Sequence, residues 1–117
     1  MHALDVLGDP VRRHILDTVS SSDRPLPAGE IVASVQAAYA ISQPAVSQHL
    51  KVLRESGFLA ATPDGRRRLY ALRPDRLQEA DAWLAPYRRF WTNRLSALET
   101  ELRRGRRSTH PTSEEDR

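Results

Sequence analysis

Five side chains near the middle of the chain, Gln43, Ser47, Gln48, Lys51 and Arg54, follow one another at steps of four, one, three and three. On a helix those steps place them on one side. All five are hydrogen-bonding side chains or long cations, and none is a carboxylate. That set suits the edges and phosphates of a nucleic acid. Gln can pair with adenine, Ser with several bases, and Lys or Arg with guanine or with a phosphate. The solvated face of an ordinary amphipathic helix carries similar residues, so the surrounding sequence has to separate the two readings.

The helix itself is well punctuated. Ser42 or Gln43 can cap its start, and Pro44 sits in the first turn, where its missing N–H costs nothing. Gly57 lies just past the last turn, at the position that favours a left-handed backbone. Val46, Leu50 and Leu53 recur at i, i+4 and i+7 and form a face to be buried. Glu55 is the one acid, and it stands at the far end. Directly afterwards, residues 58–62 and 67–72 read as extended runs around Pro63-Asp64-Gly65-Arg66, and Asp-Gly in that setting predicts a hairpin. Arg66, Arg67 and Arg68 at its tip can reach phosphates or a minor groove. Cations also protect exposed sheet edges, but here they adjoin the helix cations. Residues 41–73 hold six cations against Glu55 and Asp64, a local charge of +4 in a chain of net +3. The basic character is therefore confined to one helix and one hairpin, which is the footprint of a DNA binder.

At this point the sequence resembles a family. SQPAVSQHLKVLRESG, preceded by LGDPVRRHIL and followed by DGRRRLYAL, is similar to the ArsR-type winged helix-turn-helix repressors, and the resemblance extends over residues 4–102. It implies a mainly α fold with a small β-hairpin, a winged helix-turn-helix, in a homodimer that represses transcription by covering double-stranded promoter DNA. It also implies DNA contacts from Ser42, Gln43, Ser47, Gln48, His49, Lys51, Arg54, Arg66, Arg67 and Arg68, with His49 either supporting the helix or touching DNA. Ten residues, Ile31 to Ala40, lie between Gly29-Glu30 and Ile41-Ser42, which is more than the resemblance implies and reads as about one extra helical turn or a longer turn.

The remaining chain supplies scaffolding. Residues 2–7 predict a short helix ending at Gly8. Asp9 caps the next helix and Pro10 opens it, with Val11, Ile15, Leu16 and Val19 inward and Arg12 and Arg13 expected as solvated cations. Residues 21–27 read as a turn-rich loop. A helix over residues 28–38 presents Ile31, Val32 and Val35, and braces the recognition helix as the first member of the motif. Pro74 opens a last helix reaching about Arg104, with a break or kink expected at Pro86. Leu84, Trp91, Leu95, Leu98 and Leu102 follow at steps of seven, four, three and four. That heptad-like stripe predicts a dimer helix, packed with Leu4 and Leu7 of the first helix. WLAPYRRFWTNRLSALETEL also resembles a subgroup with aromatic-rich dimer helices. Domain organisation is expected as residues 1–104, the winged domain with its dimerisation helices, followed by a disordered polar tail over residues 105–117.

The bulk composition excludes several classes. The chain has 117 residues and no cysteine, so disulfides and thiolate sites are absent. His2, His14, His49 and His110 are scattered, and no four metal ligands converge in the pattern, so neither metal nor cofactor is expected. No nucleophile, base and orienting group form a recognisable set, so an enzyme is not expected. No apolar run is long enough to span a membrane, which makes a cytoplasmic protein the expectation. Two alternatives stay open: a winged helix serving a protein partner without DNA, and a small-molecule-responsive regulator with a pocket near Trp83, Tyr87, Phe90 and Trp91 at the dimer helices.

Overall fold

A computed structural model describes residues 1–109. The elements in chain order are α1 (Ala3–Leu7), α2 (Pro10–Ser20), β1 (Leu26–Pro27), α3 (Ala28–Ala38), α4 (Gln43–Glu55), β2 (Leu59–Asp64), β3 (Arg67–Leu72) and α5 (Asp75–Thr109). Contacts divide the chain into two units, Met1–Asp81 and the part from Ala82 onward.

Local chemistry sets most helix ends in the first unit. His2 Nδ1 accepts the Leu4 N–H at 3.0 Å while Asp5 Oδ2 accepts the His2 N–H at 3.1 Å, a reciprocal capping box for α1. Asp9 Oδ1 accepts the Val11 and Arg12 N–H groups at 2.8 and 3.1 Å, with Pro10 in the first turn of α2. Arg12 corrects the expectation of a solvated cation, and Arg13, although exposed, is also tied to the chain. Arg12 Nε donates to the Val6 carbonyl at 2.8 Å, and Arg13 Nη1 donates to the Leu7 carbonyl at 2.7 Å. The last turn of α1 has no basic residue of its own, and these guanidiniums satisfy its orphan carbonyls from the next helix.

The four helices close on one core. Val6, Ile15, Ile31, Val35, Val46, Leu53, Phe58 and Leu59 are its largest fully buried side chains. Among the described residues no polar or charged residue is buried. Val46, Leu50 and Leu53 of α4 are buried as their spacing predicts.

The sheet has three strands, in the order β1-β3-β2, all antiparallel. β1 lies in the stretch expected to be loop. It pairs Leu26 with Tyr70 and Pro27 with Leu69, and Leu26 is buried. Two residues flanked by proline show no alternation, so only a distant partner makes them a strand. Pro27 is tolerated because β1 is an edge. β2 and β3 form the expected hairpin, turning at Gly65-Arg66 with positive φ at Gly65 alone.

In the second unit, α5 runs through Pro86 without a break. Proline removes one N–H, but long helices are cooperative and the flanking Leu84, Ala85, Arg88 and Arg89 are good helix formers. The expected break is therefore corrected. The helix also continues past Arg104 to Thr109, and the rest of the expected tail lies outside the described residues. Trp83 and Tyr87 stack with ring centroids 4.9 Å apart.

Candidate nucleic-acid interface

The recognition candidate α4 is held from three sides, packing on α2, α3 and β2. α2 and α3, on which it packs, are themselves joined by a half-buried polar cluster. His14 Nε2 lies 3.0 Å from Ser34 Oγ, Thr18 Oγ1 lies 2.8 Å from the same oxygen, and the His14 ring meets Tyr39 edge-on. The connection from α3 to α4 occupies residues 39–42, where the Gln36 amide donates to the Ile41 carbonyl at 3.2 Å.

Both ends of α4 are locally sealed. Ser42 Oγ accepts the Ala45 N–H at 3.2 Å, so this hydroxyl serves as the N-cap. At the other end Gly57 takes φ +83°, the Gly57 N–H reaches the Arg54 carbonyl, and the Phe58 N–H reaches the Leu53 carbonyl. These two bonds make a Schellman ending.

Between the caps, Gln43, Ser47, Gln48 and Lys51 are exposed together, and Arg54 is half-buried. The first turn carries no acid. His49 separates from this set. It is half-buried and close enough to Asp9 for its charge to act on that carboxylate. Partial burial works against ionisation of Asp9. The N–H bonds from Arg12 and Val11, with the charges of His49 and Arg12, outweigh it and hold the carboxyl below its ordinary range.

The strand register sorts the wing arginines. Leu59 faces Leu72, Ala61 faces Tyr70 and Pro63 faces Arg68. Because facing residues share a side, Arg68 shares the side of buried Leu59 and Tyr70. Arg67 and its partner Asp64 stand on the other side, paired at 3.1 Å. Arg66 occupies the turn. Arg68, Arg54 and Arg73 line one open cleft of about 460 Å³ between the end of α4 and the wing. Arg73 was part of the basic stretch in the sequence but not of the candidate set. Its N–H donates to the Phe58 carbonyl at 2.8 Å, and its guanidinium lies 3.5 Å from Asp75. Among the described residues neither Arg54 nor Arg68 has an ion-pair partner.

The proposed dimer residues differ in setting. Leu4 and Leu7 are partly buried against the chain's own core. Leu84, Trp91, Leu95, Leu98 and Leu102 are exposed, and so are Trp83, Tyr87 and Phe90. An apolar cleft of about 280 Å³ lies within the first unit, lined by Leu7, Leu16, Leu72 and Leu77 with Arg13 and Asp17 at its margin. Among the described residues no three metal-ligating side chains converge, and no helix is long and apolar enough to cross a membrane.

Known proteins share this arrangement. The helix-turn-helix domain family matches residues 7–60. The HTH-type transcriptional regulator Rv2034 of Mycobacterium tuberculosis is 37% identical over 94 residues, covering 80% of this chain and 79% of that protein. The transcriptional repressor SdpR of Bacillus subtilis is 31% identical over 78 residues, covering 67% of this chain and 80% of that protein. A crystal structure of an ArsR family transcriptional regulator matches with a TM-score of 0.63 at 26% identity, covering 77% of this chain and 92% of that one.

Proposed function

The chain belongs to the ArsR-type winged helix-turn-helix family of DNA-binding transcriptional regulators, and we propose that it acts as a homodimeric repressor of an imperfect palindrome. One observation supports this reading: Arg54, at the end of an α4 face that carries no carboxylate, lines one cleft with Arg68 of the wing, and among the described residues neither has an ion-pair partner. In a two-fold dimer the two α4 helices would enter the major groove about one turn, ~34 Å, apart. Gln43, Ser47 and Gln48 have short exposed polar ends suited to base edges. Lys51, Arg54, Arg68 and Arg73 supply phosphate contacts, which make binding fall steeply with salt. Ser42 serves as the cap, and His49 is half-buried beside this surface. Arg67, neutralised by Asp64, contributes least.

The exposed stripe of α5 supports the dimer. Trp91, Leu95, Leu98 and Leu102 bury on association what a lone helix leaves in water. The winged domain then extends at least through α5, the dimer helices included.

The test begins with a duplex that the protein enriches from a randomised pool. Fluorescence anisotropy compares that duplex with its shuffled counterpart at two salt concentrations. The expected result is two half-sites in inverted repeat and salt-sensitive preference for the selected duplex. Gln48→Ala is expected to lose ~1–3 kcal/mol on the selected duplex and little on the shuffled one. Failure to enrich any duplex, with equal weak binding to all, would sink the DNA reading in favour of a protein partner.

A further inference from the structure

The recognition helix ends on a side chain supplied by the helix that follows the wing. Arg76, in the first turn of α5, directs its guanidinium in three directions. Nη1 donates to the carbonyl of Ser56, the C-cap of α4, at 2.7 Å. Nη2 donates to the Met1 carbonyl at 2.6 Å, and Nε donates to Glu79 Oε1 at 2.8 Å. The cation also stands 5.7 Å from the centre of the Phe58 ring. Glu79 Oε2 in turn lies 3.4 Å from His2 Nε2, the residue that caps α1. The stem of Arg76 passes the helix end closely, since a Cβ at Gly57 would meet its Cγ at 3.3 Å.

We propose that Arg76 is a positioning residue for DNA recognition, which sets the seat of the C-terminal end of α4 against α5 and the N-terminal segment. This rests on the DNA-binding reading above. The Schellman bonds satisfy the Leu53 and Arg54 carbonyls, and Arg76 satisfies the Ser56 carbonyl that they do not reach. A cation at this end also opposes the partial negative charge of the helix terminus. Gln48 stands with Lys51 and Arg54 on the same rigid helix, so a shift of the helix end tilts its base-facing side chain in the groove as well as moving the two cations. The planar fork of arginine spreads its donors over three nitrogens to reach these separated acceptors, and a lysine ammonium, whose three donors sit on one atom, does not reproduce that geometry. With its donors turned inward and its side chain 29% exposed, Arg76 acts through α4 and not on DNA directly.

Two variants separate this role from its rivals. Arg76→Met keeps the stem beside Gly57 and Phe58, and Arg76→Lys keeps the charge without the fork. Each is measured on the selected and shuffled duplexes over a salt series, well below its unfolding midpoint. The selected-to-shuffled affinity ratio should fall roughly 3- to 30-fold in Arg76→Met, with the salt slope retained. Equal loss on both duplexes with a slope reduced by about one would mean a phosphate contact and overturn the proposal. An unchanged ratio with only a lowered unfolding midpoint would overturn it as well, leaving a purely structural role. If Arg76→Met does not fold, Arg76→Lys is judged by the same criteria, with faster amide exchange expected at residues 56–58. A wild type that shows no preference removes the DNA reading and this proposal together. A wild type that discriminates, beside variants that discriminate equally well, removes only this one.

Discussion

Helix α4 and the part of α5 beyond Ala82 carry the same kind of apolar spacing and treat it in opposite ways. Val46, Leu50 and Leu53 are at most 3% exposed, whereas Trp91, Leu95, Leu98 and Leu102 range from 43% to 61%. Periodicity identifies a face of a helix but does not say what covers it. In α4 the cover is α2, α3 and the wing, so the apolar face is spent on the fold and the polar face is left for a ligand. In the later part of α5 the apolar face remains available. One pattern thus stabilises a chain and the other suits association between chains.

The largest effect tests that contrast directly. Leu53→Ala should cost the first unit about 2–5 kcal/mol of unfolding free energy, independent of protein concentration. Leu98→Asp should leave the unfolding of that unit nearly unchanged and abolish the dimer in sedimentation equilibrium. Its affinity for the selected duplex should then drop by about 10²–10⁴-fold, the gain that joining two binding units confers. A Leu98→Asp protein that still sediments as a dimer would break the comparison, because the exposed stripe would then not be the interface.

A smaller effect sharpens what packing adds within the first unit. Arg67 and Arg68 are neighbours with the same side chain, but the register puts one against Asp64 and the other toward Arg54. Arg68→Ala should reduce the salt slope of DNA binding by about one, and Arg67→Ala should change it little. Similar slopes for both variants would show that the wing does not hold its register on DNA.

The smallest effect concerns the joint between α2 and α4. The Asp9 carboxyl is depressed in the folded chain, so its contribution to stability is present above its ordinary value of 3.8 and is lost as the pH falls through the folded value. Asp9→Asn keeps a capping oxygen but cannot titrate. Its stability relative to wild type should therefore improve as pH drops below about 4, as followed by thermal unfolding. A constant difference between the two proteins across that range would show that Asp9 is not linked to folding.

Much of this protein was legible in its residues, because the deciding interactions are short-range. Asp9 and Pro10, Ser42 and Pro44, and Gly57 with its positive φ settle helix ends through bonds within about one turn. The same holds for the apolar faces of α2, α3 and α4, the carboxylate-free face of α4 and the hairpin at Gly65. Contacts between residues far apart in the chain decided the rest. β1 exists because Tyr70 offers an edge to Leu26. Arg12 and Arg13 cap a helix that is not their own. Arg67 and Arg68 part company across a pleat, and Arg76 reaches both the end of α4 and the carbonyl of Met1. A sequence pattern carries the period of a single element, whereas these assignments depend on which surfaces meet when elements close on a shared core. Only the tertiary structure decides that.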